Sequence, residues 1–207
     1  MKKSINVGAY GWRHKHWLNT FYPDDIPDEG RGEDWLLTYY SNEFDTVLVP
    51  AKYWCANEKV DCESWLEDVH EGFRFFVEYH ASMFDCISVS DWVKNLNKLK
   101  PQLCGIVVLD EGSWVENAQL NHLLESSGLV VWGVGSNGIW RQDKHQSSSF
   151  VYIENELTNL RQARSIVDEY ASSCIDDESQ ATIIVHHERL QASDLAKFRS
   201  VLEIMGY

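Results

Sequence analysis

Short apolar blocks alternate with amphipathic stretches along this chain. Runs rich in Val, Ile and Phe occupy Ile5–Gly8, Thr46–Val49, Phe73–Tyr79, Cys104–Leu109, Leu129–Val134, Phe150–Ile153 and Thr182–His186. Several are continuous blocks rather than strict alternations, the form expected of strands covered on both faces in a parallel sheet. Between them, apolar residues recur at helical spacing. Trp92, Val93, Leu96 and Leu99 define one such face, with Ser90 as the expected N-cap and Pro101 as the stop. Leu160, Ala163, Val167 and Tyr170 define a second. Leu195, Phe198, Leu202 and Met205 define a third, opened by Ser193 or Asp194 and closed by Gly206. Weaker patterns predict helices over Asp34–Tyr40, Cys62–Val69 and Asn117–Glu125, the last ended by Gly128, while the polar segment Gly133–Ser149 reads as a long irregular connection. Strand–helix alternation implies an α/β fold, because parallel neighbours need a crossover between them. A barrel and a doubly wound sheet both satisfy it.

Composition narrows the function classes. The 207 residues fit a single domain spanning 1–207, with 44% hydrophobic and 24% charged positions, as in ordinary globular proteins. A net charge of -14 repels phosphate, so nucleic acid and anionic membranes are disfavoured as partners. The expected partner is a small-molecule ligand; oligomeric state is not legible. No apolar run approaches the roughly 20 residues of a membrane span, and the first residues lack a signal-peptide core. Cys55, Cys62, Cys86, Cys104 and Cys174 are scattered and form no C-x-x-C pair, so neither a disulfide framework nor a thiolate zinc site is expected. A reducing cytoplasm is the expected location. No G-x-G-x-x-G, G-x-x-x-x-G-K-[ST] or G-x-S-x-G motif is present, so no cofactor is assigned.

The opening text GAYGWRHKHWLNTFYP places Gly8, Gly11, Trp12, Trp17, Phe21, Tyr22 and Pro23 in a distinctive register. A second block carries Leu36 or Leu37, Tyr40, Phe44, Thr46, Val47 and Tyr53, and a third carries Phe73, Phe75 and Val77. Over about the first 80 positions this pattern resembles the domain-of-unknown-function 72, or YecE-like, family. The resemblance implies a TIM-barrel-like fold. At 207 residues, against about 250 for a typical eight-unit barrel, a shortened or irregular second half is expected. The chain departs from the family pattern at polar positions: Leu48 and Pro50 replace a Glu and an Asn, and Glu78 replaces a Lys. Val108, Asp110 and Glu111 stand where a Q-x-P-P block is common. Shape-building residues are kept, and polar groups at strand ends are rewritten.

In a barrel the C-terminal strand ends converge on one mouth. The candidate catalytic residues there are Glu78, Asp110, Glu111, His186 and Glu188, since carboxylate and imidazole suit both acid–base work and divalent metals. Candidate ligand-binding residues are Trp12, His14, Lys52, Tyr53 and His80; metal binding is left open. Each has a plainer alternative. Glu78 could pair with Arg74 at the surface, Asp110-Glu111-Gly112 could be turn chemistry, and His186-His187-Glu188 could simply leave a strand. His14 and His16 could pack beside Trp12 or Trp17. The aromatic set Tyr10, Trp12, Trp17, Phe21, Tyr22, Tyr53 and Trp54 reads either as a stacking platform for sugars or as a seal at the barrel end. The favoured function is binding of a small polar ligand or a partner at the mouth. The alternative is a hydrolase or isomerase using the carboxylate/His cluster, with or without a divalent metal.

Overall fold

The computed structural model describes residues 5–23, 34–55, 60–110, 112, 114, 118–133, 139–141, 149–157, 159–173 and 181–207. Among these, strands β1 (Ile5–Tyr10), β2 (Thr46–Val49), β3 (Arg74–Glu78), β4 (Leu103–Val107), β5 (Val131–Trp132), β6 (Phe150–Ile153) and β7 (Ala181–Val185) form one sheet. Its order is β5-β4-β3-β2-β1-β7-β6, and every pair is parallel. Helices α1 (Asp34–Ser41), α2 (Cys62–Glu67), α3 (Val89–Leu99), α4 (Ala118–Ser127) and α5 (Leu160–Ser173) lie in crossovers between consecutive strands, and α6 (Ala192–Met205) follows β7. Each predicted apolar block overlaps a strand; β1 runs two residues past its block to Tyr10, and β4 and β7 each begin one residue earlier than expected.

The sheet curls into a barrel-like wall. In a flat sheet β3 and β6, four spacings apart, would stand about 19 Å from each other. Instead the rings of Phe76 on β3 and Phe150 on β6 lie 4.9 Å apart. Strand alternation then sorts side chains into two cores. One, on the helix side, joins Val47, Val49, Phe75, Val77, Ile183 and Val185 to helix residues such as Leu37, Trp92, Leu96, Val167 and Phe198. The other fills the concave side with Leu48, Phe76, Val107, Ile139, Phe150, Tyr152 and Ile184. Gly8 permits the close approach of β1 to β2, for a Cβ there would lie 2.1 Å from the Thr46 carbonyl oxygen.

The wall is irregular between β5 and β6. β5 has two residues, and Trp140 makes a single parallel bridge to Val151, holding the place of a further strand beside β6. The segment 133–149, expected to be irregular throughout, thus returns to the sheet at Trp140.

Local chemistry explains most boundaries. Asp61 caps α2 by accepting from the Glu63 and Ser64 amides. The cap of α3 is Ser88, not the expected Ser90: its hydroxyl accepts from the Asp91 amide at 3.1 Å and donates to the Asp91 carboxylate at 2.7 Å, a reciprocal arrangement that Ser90 lacks. α6 begins after Gln191, with Asp194 inside its first turn, and Gly206 closes it with φ +96°. Against expectation, Cys55 and Cys86 form a disulfide, Cα atoms 5.1 Å apart. The two are 31 residues apart in sequence, but they follow the adjacent strands β2 and β3, so the fold makes them neighbours. No described helix is long and apolar enough to cross a membrane.

Candidate functional site

Inward-facing positions at the C-terminal ends of the strands build a polar cluster on the concave core. Glu78 ends β3 two residues after Phe76, so strand periodicity turns it inward. It is only 8% exposed, and its Oε2 accepts from the Tyr10 hydroxyl at 2.5 Å and the Ala51 amide at 2.8 Å. Tyr10 ends β1. Burial, followed by the charge and hydrogen bond of Glu78, pushes its phenol far above the ordinary value, so Tyr10 is a neutral donor.

A second pair stands beside the first. His186 follows β7, and its Nδ1 lies 2.5 Å from the hydroxyl of Tyr152 on β6. Burial lowers the His186 pKa, and Lys52 adds to that against the opposing charge of Glu154. Burial raises the Tyr152 phenol, with Glu154 and Glu78 reinforcing the shift. The ring of Tyr10 links the pairs, lying 4.0 Å from His186 at 32° and edge-on to Tyr152 at 6.3 Å. The guanidinium of Arg141 stands 5.5 Å from the Tyr152 ring and donates to the Leu109 carbonyl just beyond β4. Five segments distant in sequence thus meet at one rim. Carboxylate, imidazole and phenols in that arrangement can exchange protons or hydrogen-bond a polar ligand.

The other candidates are placed differently. Trp12 is fully buried, its ring 4.9 Å from Tyr53 and 5.2 Å from Trp65. The Tyr53 hydroxyl accepts from the Trp12 and Arg13 amides, pinning the turn after β1 that Gly11 opens at φ +80°. His14 donates to the Gly11 carbonyl and packs 4.2 Å from Trp17; burial, with His16 adding to it, pulls its pKa down to about 4. Lys52 is exposed near His14 and His186 and acts on both through its charge. His80 is exposed and caps a 3-10 turn through the Ser82 amide. Asp110 is exposed and accepts from the Gly112 amide, as the turn reading anticipates. Glu188 is exposed, and Glu111 lies outside the described residues. Of the five catalytic candidates, Glu78 and His186 therefore meet in the cluster.

One plainer reading changes, and one functional reading gives way to packing. Glu78 is not a surface partner of Arg74, whose guanidinium donates to the Glu71 and Phe73 carbonyls. Trp12, Trp17, Tyr22, Tyr53 and Trp54 are buried, so packing rather than sugar stacking occupies them. Tyr152 and Arg141 were missed. Tyr152 had a signal, since it sits two residues after Phe150 on the same strand face; Arg141 had none.

Among the described residues no three His, Cys, Asp or Glu side chains converge as metal ligands. Burial raises the thiols of Cys62, to about 12, and of Cys104, so neither is an activated nucleophile. A neighbouring cleft of about 120 Å³ is lined by Glu156, Leu157, His187, Arg189, Leu190 and Asp194. Its charges satisfy one another, Glu156 with Arg189 and His187, Asp194 with Lys197.

Residues 6–85 match the family model described as Protein of unknown function DUF72. Over that span the chain is similar to DUF72 sequences. Solved structures extend the likeness to the whole fold. A DUF72 family protein of Enterococcus faecalis V583 is similar at 10% identity and a TM-score of 0.57, over 96% of this chain and 95% of that one. A DUF72 family protein of Thermotoga maritima MSB8 is similar at 12% identity and a TM-score of 0.50, over 97% and 99%. At such identities the DUF72 likeness carries fold alone. No curated protein matches the sequence. With all strands parallel and following chain order around the curl, the architecture is α/β and TIM-barrel-like. The family description names no reaction.

Proposed function

We propose that this DUF72-like barrel binds a small polar ligand at the mouth formed by Tyr10, Glu78, Tyr152 and His186. One observation carries the reading: a carboxylate from β3 and an imidazole after β7 are each held by a neutral tyrosine, and the ring of one tyrosine packs on the imidazole. Groups fixed in this way have little orientational freedom left to lose when a ligand arrives. A carboxylate beside an imidazole also favours a second reading, acid–base turnover of the bound ligand as in a hydrolase or isomerase.

The test is a binding screen by saturation-transfer NMR with neutral polyols, hydroxy ketones, dicarboxylates and inorganic phosphate. Glu78→Ala and His186→Ala are expected to weaken the binding of any hit at least tenfold. Binding that survives both substitutions, or no hit in any class, overturns the proposal. Turnover of a hit, lost in Glu78→Ala, would select the enzymatic reading.

A cytoplasmic location is what the scattered cysteines suggest from sequence alone, and the Cys55–Cys86 disulfide of the fold counts against it. Recovery of the Cys55–Cys86 disulfide from cells lysed directly into an alkylating agent would overturn that location.

A further inference from the structure

Two atoms of the cluster have no protein partner among the described residues: Oε1 of Glu78 and Nε2 of His186. They differ in polarity. An ionised carboxylate oxygen only accepts. The imidazole is decided by Tyr152, a neutral phenol 2.5 Å from Nδ1. With His186 neutral as well, donation by the hydroxyl to Nδ1 places the ring proton on Nε2, whereas acceptance from Nδ1–H would leave Nε2 bare. In the first arrangement the mouth offers one acceptor, Glu78 Oε1, and one donor, His186 Nε2.

We infer that the mouth selects an uncharged ligand bearing a hydroxyl next to a carbonyl, and that Tyr152 is the positioning residue that sets this polarity through the His186 tautomer. The inference rests on the mouth being the ligand site. The hydroxyl donates to Glu78 Oε1, and the carbonyl oxygen accepts from His186 Nε2. An anionic ligand would meet the open carboxylate oxygen of Glu78. A cationic one would meet Lys52, whose charge already acts on His186, and the guanidinium of Arg141 against Tyr152. A ligand without a donor displaces water from Glu78 Oε1 without replacing its hydrogen bond, and such losses are costly.

The first measurement needs no ligand: the ¹⁵N shifts of His186 in labelled protein near neutral pH. The expected result is an unprotonated Nδ1 and a protonated Nε2, with Tyr152→Phe moving population toward the Nδ1–H form. A wild-type ring protonated at Nδ1 overturns the role given to Tyr152. The second uses hydroxyacetone and methoxyacetone, which differ in the hydroxyl proton. Hydroxyacetone is expected to bind at least tenfold more tightly, and Tyr152→Phe to reduce that preference. Equal binding of the two overturns the polarity. Binding of another small ligand but not hydroxyacetone overturns the ligand class and leaves the mouth as the site. If no small ligand binds, this inference and the proposed function fall together.

Discussion

The first four βα units and the stretch from β5 to β6 are built to different standards. In the first region, Trp12, Trp17, Tyr22, Tyr40, Phe44 and Phe73 are almost completely buried, and each strand from β1 to β4 is followed by a described helix. In the second, β5 has two residues and Trp140 contributes a single bridge, with no described helix between Trp132 and Phe150. Yet the candidate site draws equally on both sides of this divide. Tyr10 and Glu78 come from the region that matches DUF72, and Tyr152 and His186 from beyond it. The aromatic signature maintains the shell; the chemistry is a joint product.

If the shell resides in the first region, its loss should be the most damaging change. Trp17 is fully buried, stacks on Tyr40 and donates to the Leu190 carbonyl at 2.5 Å. Trp17→Ala is expected to cost about 3–5 kcal/mol by urea denaturation, against roughly 1 kcal/mol for Val131→Ala in half-buried β5. Equal costs would break the comparison. The next effect concerns the Cys55–Cys86 link, which closes a loop 31 residues long in this same region. Replacing both cysteines with serine should cost roughly 4 kcal/mol on the chain-entropy model, read as a fall in the urea midpoint.

Acid sharpens the comparison further. The His14 pKa is lowered from 6.5 to about 4 in the fold, so the unfolded chain binds the extra proton between those values. Stability from this group is present above pH 6.5 and is lost as pH falls toward 4, by up to about 3 kcal/mol. His14→Gln should flatten that part of the stability–pH curve, and an unchanged curve would show that His14 is not held neutral. The smallest stability effect is expected at the mouth. Tyr10→Phe removes one donor to Glu78 while the Ala51 amide remains, costing about 1 kcal/mol by the same denaturation assay.

The fold was legible because burial on both sheet faces leaves continuous apolar blocks, as at Thr46–Val49 and Phe150–Ile153. The site was only half legible. Glu78 and His186 stand out as polar residues at the ends of apolar strands. Tyr152 looks like another large core residue, and its pairing with His186 depends on β6 lying next to β7, which no local pattern encodes. The disulfide was hidden for the same reason, since Cys55 and Cys86 meet only because β2 and β3 are neighbours. Trp12 and Tyr53 misled in the opposite sense: proximity to a strand end did not bring them to the mouth, because the turns after β1 and β2 fold them into the helix-side core.

The most direct test of the joint site is to follow Glu78 and His186 together, with carboxyl-¹³C and imidazole-¹⁵N labels, while titrating the tightest ligand from the screen. One site predicts that both resonances move along a single saturation curve, and that Glu78→Gln shifts the curve reported by His186 to higher ligand concentration. Movement of one resonance alone, or a His186 curve indifferent to Glu78→Gln, would contradict the account.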